Sequence, residues 1–396
     1  MRRRDALRYA LTSASALLVP PALAARRMRS NLADVGPLRP ADANDMRLPA
    51  GFSSRIVARA GQRRAGEPSG YVWHDAPDGG AVFAQGDGGW IYVSNSEVDR
   101  GRGGVGALRF DRDGRLVAQY AVCSGTSRNC AGGPTPWGTW LTCEEVPQGR
   151  VWECSLDGRT PARVLPALGT FNHEAAAVDA AQRHVYLTED RPDGAFFRFA
   201  ASDRDWPRGA PRGALQDGRL QLMQVVDAPA FPPRDGDAQW RANVRWVDWQ
   251  SSTERPRASV FNGGEGLWIH DRTVFFATKG DDRVWALDTA TSTLRVLYDD
   301  TMPGGGTLSG VDNVVANAFG DVLVAEDGGD QQIVALTADG KAVPLLQVTG
   351  QPKGELTGPA FSPDGTRLYF SSQWAPQPGG ARGITYEVTG PFVRPA

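Results

Sequence analysis

The sequence predicts an all-β fold, a six-bladed β-propeller, from three observations. The chain of 396 residues contains 47 Gly, 28 Pro and 12 Trp, a composition that favours many short strands joined by tight turns. From about residue 80 onward the chain repeats a unit of three or four short apolar runs, and the last three units begin 47 residues apart. Asp-Gly pairs at turn positions separate the runs. A period of this size is typical of propeller blades.

Six units are predicted. The clearest first strands begin at Glu265, Asp312 and Pro359, and each is followed by a turn and a second apolar run. Residues 201–259 fit no unit, and we interpret them as an insertion between blades 3 and 4. A lone strand at 51–57 is expected to pair with the last blade and so to remove an unpaired edge. The predicted organisation is an export signal at 1–25, a linker at 26–50 and a single propeller domain at 51–396.

The N-terminus reads as a targeting segment. Arg2, Arg3 and Arg4 precede an apolar stretch over 10–24 that ends in Ala-Leu-Ala, which is typical of a cleavable signal. The Arg pair at 3–4 favours the twin-arginine route, with an ordinary Sec signal as the alternative. We therefore expect a bacterial protein that is periplasmic or secreted.

Charge and hydropathy exclude several partners. The formal net charge of −2 gives no basic surface for nucleic acid or for an anionic membrane. No apolar run is long enough to span a bilayer. We expect a monomer that acts on a small molecule and has no nucleic-acid partner.

Acidic residues recur at equivalent points of the units. In an antiparallel blade the start of the first strand and the end of the second lie on the same face of the disc. The acidic and polar residues at these points are, at second-strand ends, Glu97, Cys143, Glu144, Asp190, Glu326 and Asp327, and, at first-strand starts, His173, Glu174, Glu265, Asp312 and Asn313. They are predicted to converge on one mouth of the central channel.

So many carboxylates in one place would repel one another unless cations neutralised them. Carboxylates and carbonyls suit calcium, and the thiol of Cys143 beside them favours a transition metal as well. The alternatives are solvated turn chemistry for the acids and, for Cys143, a disulfide or a buried apolar position. Lys279 lies at the position equivalent to Asp190 and Asp327, where it could meet an anionic substrate or be a surface charge.

The four cysteines allow more than one pairing. If Cys143 is a metal ligand, at most one disulfide can form among Cys123, Cys130 and Cys154. The sequence leaves the pair open.

Several motifs resemble the PhoX-type alkaline phosphatase family: NCAGGPTPWGTWLTCEE at 129–145, FNHEAAAVD at 171–179, VYLTEDR at 185–191, GGEGLWI at 263–269, VDNVVANAFGDVLVAEDGG at 311–329 and LTGPAFSPDGTRLYFSSQ at 356–373. The resemblance covers most of residues 80–375. It implies a six-bladed propeller, twin-arginine export and hydrolysis of phosphate monoesters by an iron–calcium cluster in the channel mouth. It also implies iron ligands at Cys143, Glu174 and Glu265. The calcium candidates that it implies are Glu97, Glu144, Asp312, Asn313, Glu326 and Asp327.

The chain departs from the family pattern at one important position. Phosphatases of this family carry an Arg that contacts phosphate two residues before the ligand equivalent to Glu265, and Gly263 stands there instead. Anion binding would then depend on the metal ions and on Lys279.

The sequence thus predicts a metal-dependent hydrolase of phosphoric esters, with Cys143, Glu174, Glu265 and Lys279 as catalytic residues. Two alternatives remain open. One is a lactonase or esterase with calcium alone, in which Cys143 would be idle. The other is a non-catalytic propeller whose acidic ring holds calcium while its rim or the segment 201–259 binds a partner.

Overall fold

The computed structural model describes residues 28–228, 230–249, 255, 257–302, 306–351 and 354–396. The predicted export signal at 1–25 lies outside these ranges. Within them, no helix has the length and apolar character needed to cross a membrane. Short 3-10 helices are present at Leu32–Asp34, Pro166–Leu168, Lys279–Asp281 and Pro378–Gly380.

The described fold is otherwise built of strands. The strands of the first half are β1 (Met28–Ser30), β2 (Met46–Arg47), β3 (Ser53–Arg59), β4 (Pro77–Ala84), β5 (Trp90–Ser96), β6 (Gly103–Phe110), β7 (Leu116–Thr126), β8 (Asn129–Pro134), β9 (Trp140–Glu144), β10 (Val151–Cys154), β11 (Arg163–Val164), β12 (His173–Asp179), β13 (His184–Glu189) and β14 (Phe196–Ala201). The strands of the second half are β15 (Gly218–Val226), β16 (Arg241–Asp248), β17 (Gly264–His270), β18 (Thr273–Thr278), β19 (Arg283–Asp288), β20 (Thr293–Asp299), β21 (Val311–Ala316), β22 (Val322–Glu326), β23 (Gln332–Leu336), β24 (Ala342–Val348), β25 (Leu356–Phe361), β26 (Arg367–Pro376), β27 (Arg382–Thr389) and β28 (Val393–Pro395).

Antiparallel meanders of consecutive strands form the sheets. β4–β7 and β8–β11 are four-stranded sheets, and β12–β15 and β17–β20 are joined through β16 into one sheet of nine strands. β21–β24 gain β2 at one edge, and β25–β27 gain β3. The first strands β4, β8, β12, β17, β21 and β25 each contact the next, and β25 contacts β4, so the contacts close a ring. This is a propeller-like arrangement of small sheets.

The chain ends close the structure in the predicted way, with one addition. The lone strand predicted at 51–57 is β3, which pairs with β27, so that prediction is confirmed. Of the segment predicted as a linker at 26–50, the described residues 28–50 pack on the domain instead, since β2 pairs with β24 and β1 with β28. Its residues Leu32, Met46 and Leu48 are buried in the core shared by the last two sheets. Their apolar side chains explain why the segment docks.

The segment 201–259, predicted as an insertion, supplies two of the strands. β15 pairs with β14, and β16 bridges β15 to β20. Gln221, Leu222 and Met223 are consecutive buried residues of β15, so both faces of the strand are covered at this point. Long connections on either side of β15 hide this strand from a search for regular units.

Glycines let neighbouring first strands approach closely around the channel. A Cβ added at Gly133 on β8 would lie 1.8 Å from the carbonyl oxygen of Ala176 on β12. A Cβ at Gly266 on β17 would lie 2.5 Å from the amide nitrogen of Val314 on β21. Neither contact is tolerated by any residue with a side chain. The ring of first strands is therefore narrow, and side chains that point into its mouth are forced together.

Candidate metal centre

A β-bulge recurs near the start of every first strand of the ring. In each case two residues of the first strand lie opposite one residue of the second, so the pairing register shifts by one residue, and the bulged pairs are Asp78–Gly79, Cys130–Ala131, Glu174–Ala175, Glu265–Gly266, Asp312–Asn313 and Gly358–Pro359. A bulge re-aims the side chain of the residue that it frees from the ladder. Five of the six bulges thus begin with a residue that can ligate a metal.

Four of these five bulge residues belong to three groups whose ligand atoms lie within 4.8 Å of one another. Among the described residues the groups are Cys130–Glu145–Glu174, Glu174–Glu265–Asp312 and Asp312–Asp327–Glu355. Consecutive groups share Glu174 and Asp312. The groups therefore form one continuous, largely buried centre across the mouth.

Glu174 is the central residue of this assembly. Its side chain is fully buried, and neither carboxylate oxygen has a hydrogen-bond partner among the described residues. Burial raises the pKa of Glu174 well above its usual value, and the charges of Glu265, Asp312 and Glu145 raise it further. A buried carboxylate left in this state is costly unless a cation binds it.

The thiol in the three ligand groups is that of Cys130, and Cys143 lies outside them. Burial raises the pKa of the Cys143 thiol, and the nearby charge of Glu174 raises it further. Side chains alternate along β9, so Leu141 and Cys143 both point into the apolar cluster around Phe171 and Leu187. Cys130, at its bulge, lies beside Glu145 and Glu174. The structure thus does not bring Cys143 into the ligand groups, where the sequence placed it.

Two other predicted ligands have structural partners. Oε1 of Glu144 accepts a hydrogen bond of 3.0 Å from the Ser127 amide, and Oε2 accepts one of 3.0 Å from Nε1 of Trp152. Glu326 in the same way accepts hydrogen bonds from the amides of Ser309 and Gln332, at 2.9 and 2.8 Å. Both carboxylates are therefore held by structural hydrogen bonds and lie outside the three groups.

Glu97 lies at the mouth but is held by a cation. Arg128 donates to Oε1 of Glu97 at 2.6 Å and to Oε2 of Glu145 at 2.6 Å. Gln373 joins the other oxygen of Glu97 to Oδ2 of Asp78, at 3.0 and 2.8 Å. Arg128 thus fixes Glu145 beside the thiol of Cys130.

The predicted residues Asp312, Asn313 and Asp327 lie together at the opposite side of the mouth. Nδ2 of Asn313 donates to Oδ1 of Asp312 at 2.8 Å, and Oδ1 of Asn313 accepts the Gly358 amide at 2.7 Å. Asn313 therefore orients Asp312. Glu355, which was not predicted from the sequence, completes the group with Asp312 and Asp327. Its Oε2 accepts a hydrogen bond of 3.0 Å from Nε1 of Trp374.

Lys279 lies among these carboxylates. Its Nζ is 2.9 Å from Oδ2 of Asp327, 3.3 Å from Oε1 of Glu265 and 3.7 Å from Oδ2 of Asp312. Burial lowers its pKa, but the three carboxylates outweigh burial and raise the pKa above its usual value. The side chain is about one-third exposed, at 35%. It therefore reaches from the rim into the centre as a permanent cation.

Gly263 lies directly beside Lys279. The Lys279 amide donates to its carbonyl oxygen at 2.8 Å, and a Cβ added at Gly263 would lie 3.7 Å from the Cβ of Lys279. Gly263 has a φ of +67°, a left-handed conformation that disfavours a side chain. The backbone conformation at position 263 therefore favours Gly. The cationic side chain next to this position is that of Lys279.

All four cysteines lie in the described part of the chain and are free thiols. Cys123 and Cys154 are hydrogen-bonded to each other, which lowers the pKa of Cys123 and raises that of Cys154. They are the pair placed to form the single disulfide considered from the sequence, because Cys130 lies in the acidic centre.

Protein without bound metal is expected to lose stability as the pH rises. Burial raises the pKa of Glu145 to about 8 and that of Glu326 to about 7, from an ordinary value of 4.5. The folded state holds these protons more tightly than the unfolded chain, so this stabilisation is complete below pH 4.5 and is lost as the pH rises to about 8. Thermal unfolding in chelator across this range checks the prediction. A midpoint that is constant or rises would contradict it.

The fold and the site define an all-β protein of propeller-like architecture with an acidic, thiol-containing mouth. The sequence matches the model of the family "Alkaline phosphatase PhoX" over residues 86–159, 154–280 and 276–376. The chain therefore belongs to the PhoX family, as its motifs predicted. No curated protein sequence matches the chain.

The solved structure of a PhoX protein supports this fold. PhoX of Pseudomonas fluorescens, in complex with the transition state analogue vanadate, matches with a TM-score of 0.68 and 16% identity, over 89% of this chain and 97% of that one. A gluconolactonase of Xanthomonas campestris, XC5397, matches with a TM-score of 0.47 and 14% identity, over 90% and 98% of the two chains. Family membership and the PhoX fold support a phosphoric-ester hydrolase.

Proposed function

We propose that this chain is a metal-dependent hydrolase of phosphoric esters whose centre is the acidic mouth, and that the ring of first strands is the hub of a six-bladed propeller. Glu174 carries the proposal. Its carboxylate is fully buried, lacks a hydrogen-bond partner among the described residues and belongs to two ligand groups at once. A bound cation would relieve both its desolvation and its repulsion by neighbouring acids.

The donor atoms fit two kinds of metal. A thiolate with two carboxylates, as in Cys130–Glu145–Glu174, suits a transition metal such as iron. The all-carboxylate groups that contain Glu265 and Asp312 suit calcium. In this proposal Cys130 takes the role that the motifs implied for Cys143, while Glu174 and Glu265 keep theirs.

The metals would supply Lewis-acid chemistry and lower the pKa of the attacking water. The chain's own residues shape the site around them. Arg128 orients Glu145 and keeps part of its guanidinium exposed, with 39% of the side chain accessible. With Gly in place of the family's Arg at position 263, the partly exposed Arg128 would contact substrate oxygens while Glu97 and Glu145 hold its guanidinium in place. Phosphate-ester oxygens are the anions that a planar guanidinium binds best.

We also propose that the protein is exported to the bacterial periplasm by the twin-arginine route and acts there as a monomer on a small phosphoester. The Arg pair at 3–4 and the apolar stretch at 10–24 support this route. The route suits a protein that folds around its metals before export.

Turnover of p-nitrophenyl phosphate and of its bis-ester tests the function. Metal-replete protein is expected to hydrolyse the monoester, to lose this activity in chelator and to regain it with iron and calcium together. Absence of turnover of both esters by metal-replete protein would overturn the proposal. Hydrolysis of a lactone sustained by calcium alone would instead support the lactonase alternative.

A further inference from the structure

Four of the other five repeats have an acidic residue at the position that Lys279 occupies. By strand register, the residue after the mouth end of the second strand is Glu97, Glu145, Asp190 or Asp327 in these four units and Ser372 in the last. Among the six units, only that of β17–β20 has a cation at this position. The exchange of an acid for a Lys changes the local charge by two units, from −1 to +1.

The ammonium of Lys279 occupies a position between carboxylates that is typical of a bound cation. It lies 2.9–3.7 Å from one oxygen each of Asp327, Glu265 and Asp312. Asp312 and Asp327 are two of the three members of the ligand group that Glu355 completes. A metal in that group would have to share these two carboxylates with a positive charge already in contact with both.

A second observation separates the two sides of the mouth. Glu174 lies in two ligand groups, yet no Lys279 contact reaches it among the described residues, and both its oxygens are unpartnered. In the Cys130–Glu145–Glu174 group Arg128 contacts Glu145, so it is the Glu174 carboxylate that still needs a cation. On the other side of the mouth, Lys279 contacts both Asp312 and Asp327.

We propose that the ammonium of Lys279 is a resident cation that takes the place of one metal ion at the Asp312–Asp327–Glu355 group. This inference rests on the proposed function, since it divides the same mouth into a metal-binding side and an ammonium-bound side. It gives Lys279 a positioning role: it holds Glu265 and Asp312 in place for the neighbouring metals. Its charge then neutralises the protein's carboxylates and does not bind the substrate.

Removing the charge should open a metal site. Lys279→Met keeps the length of the side chain and removes the ammonium. The variant is expected to bind one more calcium ion per chain than the wild type, measured by calorimetric titration with calcium chloride and by elemental analysis after dialysis. Its metal-free form should unfold at a lower temperature than wild type, and calcium should close that gap. Lys341→Met is the matched control, because Lys341 pairs with Asp339 at 2.9 Å on the exposed surface.

A second variant tests the inference without removing Lys279. Asp327 contacts Lys279 at 2.9 Å, so Asp327→Asn should leave the metal content unchanged if the ammonium occupies this group. Loss of one metal ion in Asp327→Asn would overturn the inference, as would equal calcium binding by Lys279→Met and the wild type. A wild type without any bound metal would overturn the proposed function instead, while a calcium ion gained by Lys279→Met would still support the resident ammonium.

Discussion

Cys130→Ser is expected to remove the transition metal from the mouth and to lower phosphoester turnover by more than about 100-fold. A hydroxyl is a poor substitute for a thiolate toward a soft metal. Changes in the partners of metal ligands already cost about 10–100-fold, so loss of a ligand should cost more. Elemental analysis and turnover of p-nitrophenyl phosphate measure the two effects.

Cys143→Ser is the matched control, and it is expected to lose stability while it keeps its metal. Cys143 is fully buried among Leu141, Phe171 and Leu187, so its replacement buries a hydroxyl in an apolar cluster. We expect a loss of about 1–3 kcal/mol in the free energy of unfolding with the metal content retained. The reverse result, with metal lost from Cys143→Ser and kept in Cys130→Ser, would show that the motif-based assignment of Cys143 was right.

Glu174→Gln is expected to abolish metal binding at the Cys130–Glu145–Glu174 group. It should lower phosphoester turnover at least as much as Cys130→Ser does, by more than about 100-fold. The substitution keeps the volume and removes the charge that two ligand groups share. It should also raise the unfolding temperature of the metal-free protein above neutral pH, because Glu265, Asp312 and Glu145 no longer repel a carboxylate at this position.

Glu144→Gln gives the comparison for this variant. Glu144 is also a buried carboxylate, but it accepts hydrogen bonds from the Ser127 amide and from Trp152. Its replacement should lower stability and leave the bound metal in place. Retention of metal and turnover by Glu174→Gln would contradict the account.

The repeated strands and the location of the mouth could be predicted from the sequence because both depend on local patterns. Apolar runs, Asp-Gly turns and the acids at strand ends are visible without the fold. They placed Glu174, Glu265, Asp312 and Asp327 together, and the structure groups these four with Lys279 among them.

The face of each strand was harder to predict. A shift of one residue along a strand sends a side chain to the opposite face. Cys143 and Glu144 were assigned to the channel because both lie near a strand end. In the structure Cys143 faces an apolar core, and Glu144 accepts hydrogen bonds from the Ser127 amide and the Trp152 indole.

The motif repeated at the start of each first strand is the sequence signal that would have identified Cys130 and Asp78. When NCAGG at 129–133 and PDGGA at 77–81 are aligned with HEAAA at 173–177, Cys130 and Asp78 fall at the position equivalent to Glu174. Glu355 has no such signal, because it precedes its strand and reaches the mouth only through the tertiary fold.

Elemental analysis of the mature protein, purified after native export, shows whether the acidic mouth is a metal centre. We expect bound iron together with calcium in a fixed ratio, held by the ligand groups that share Glu174. Purified protein that folds normally but contains neither metal, and gains none on incubation with both, would contradict this expectation and would leave the acids of the mouth as solvated turn residues.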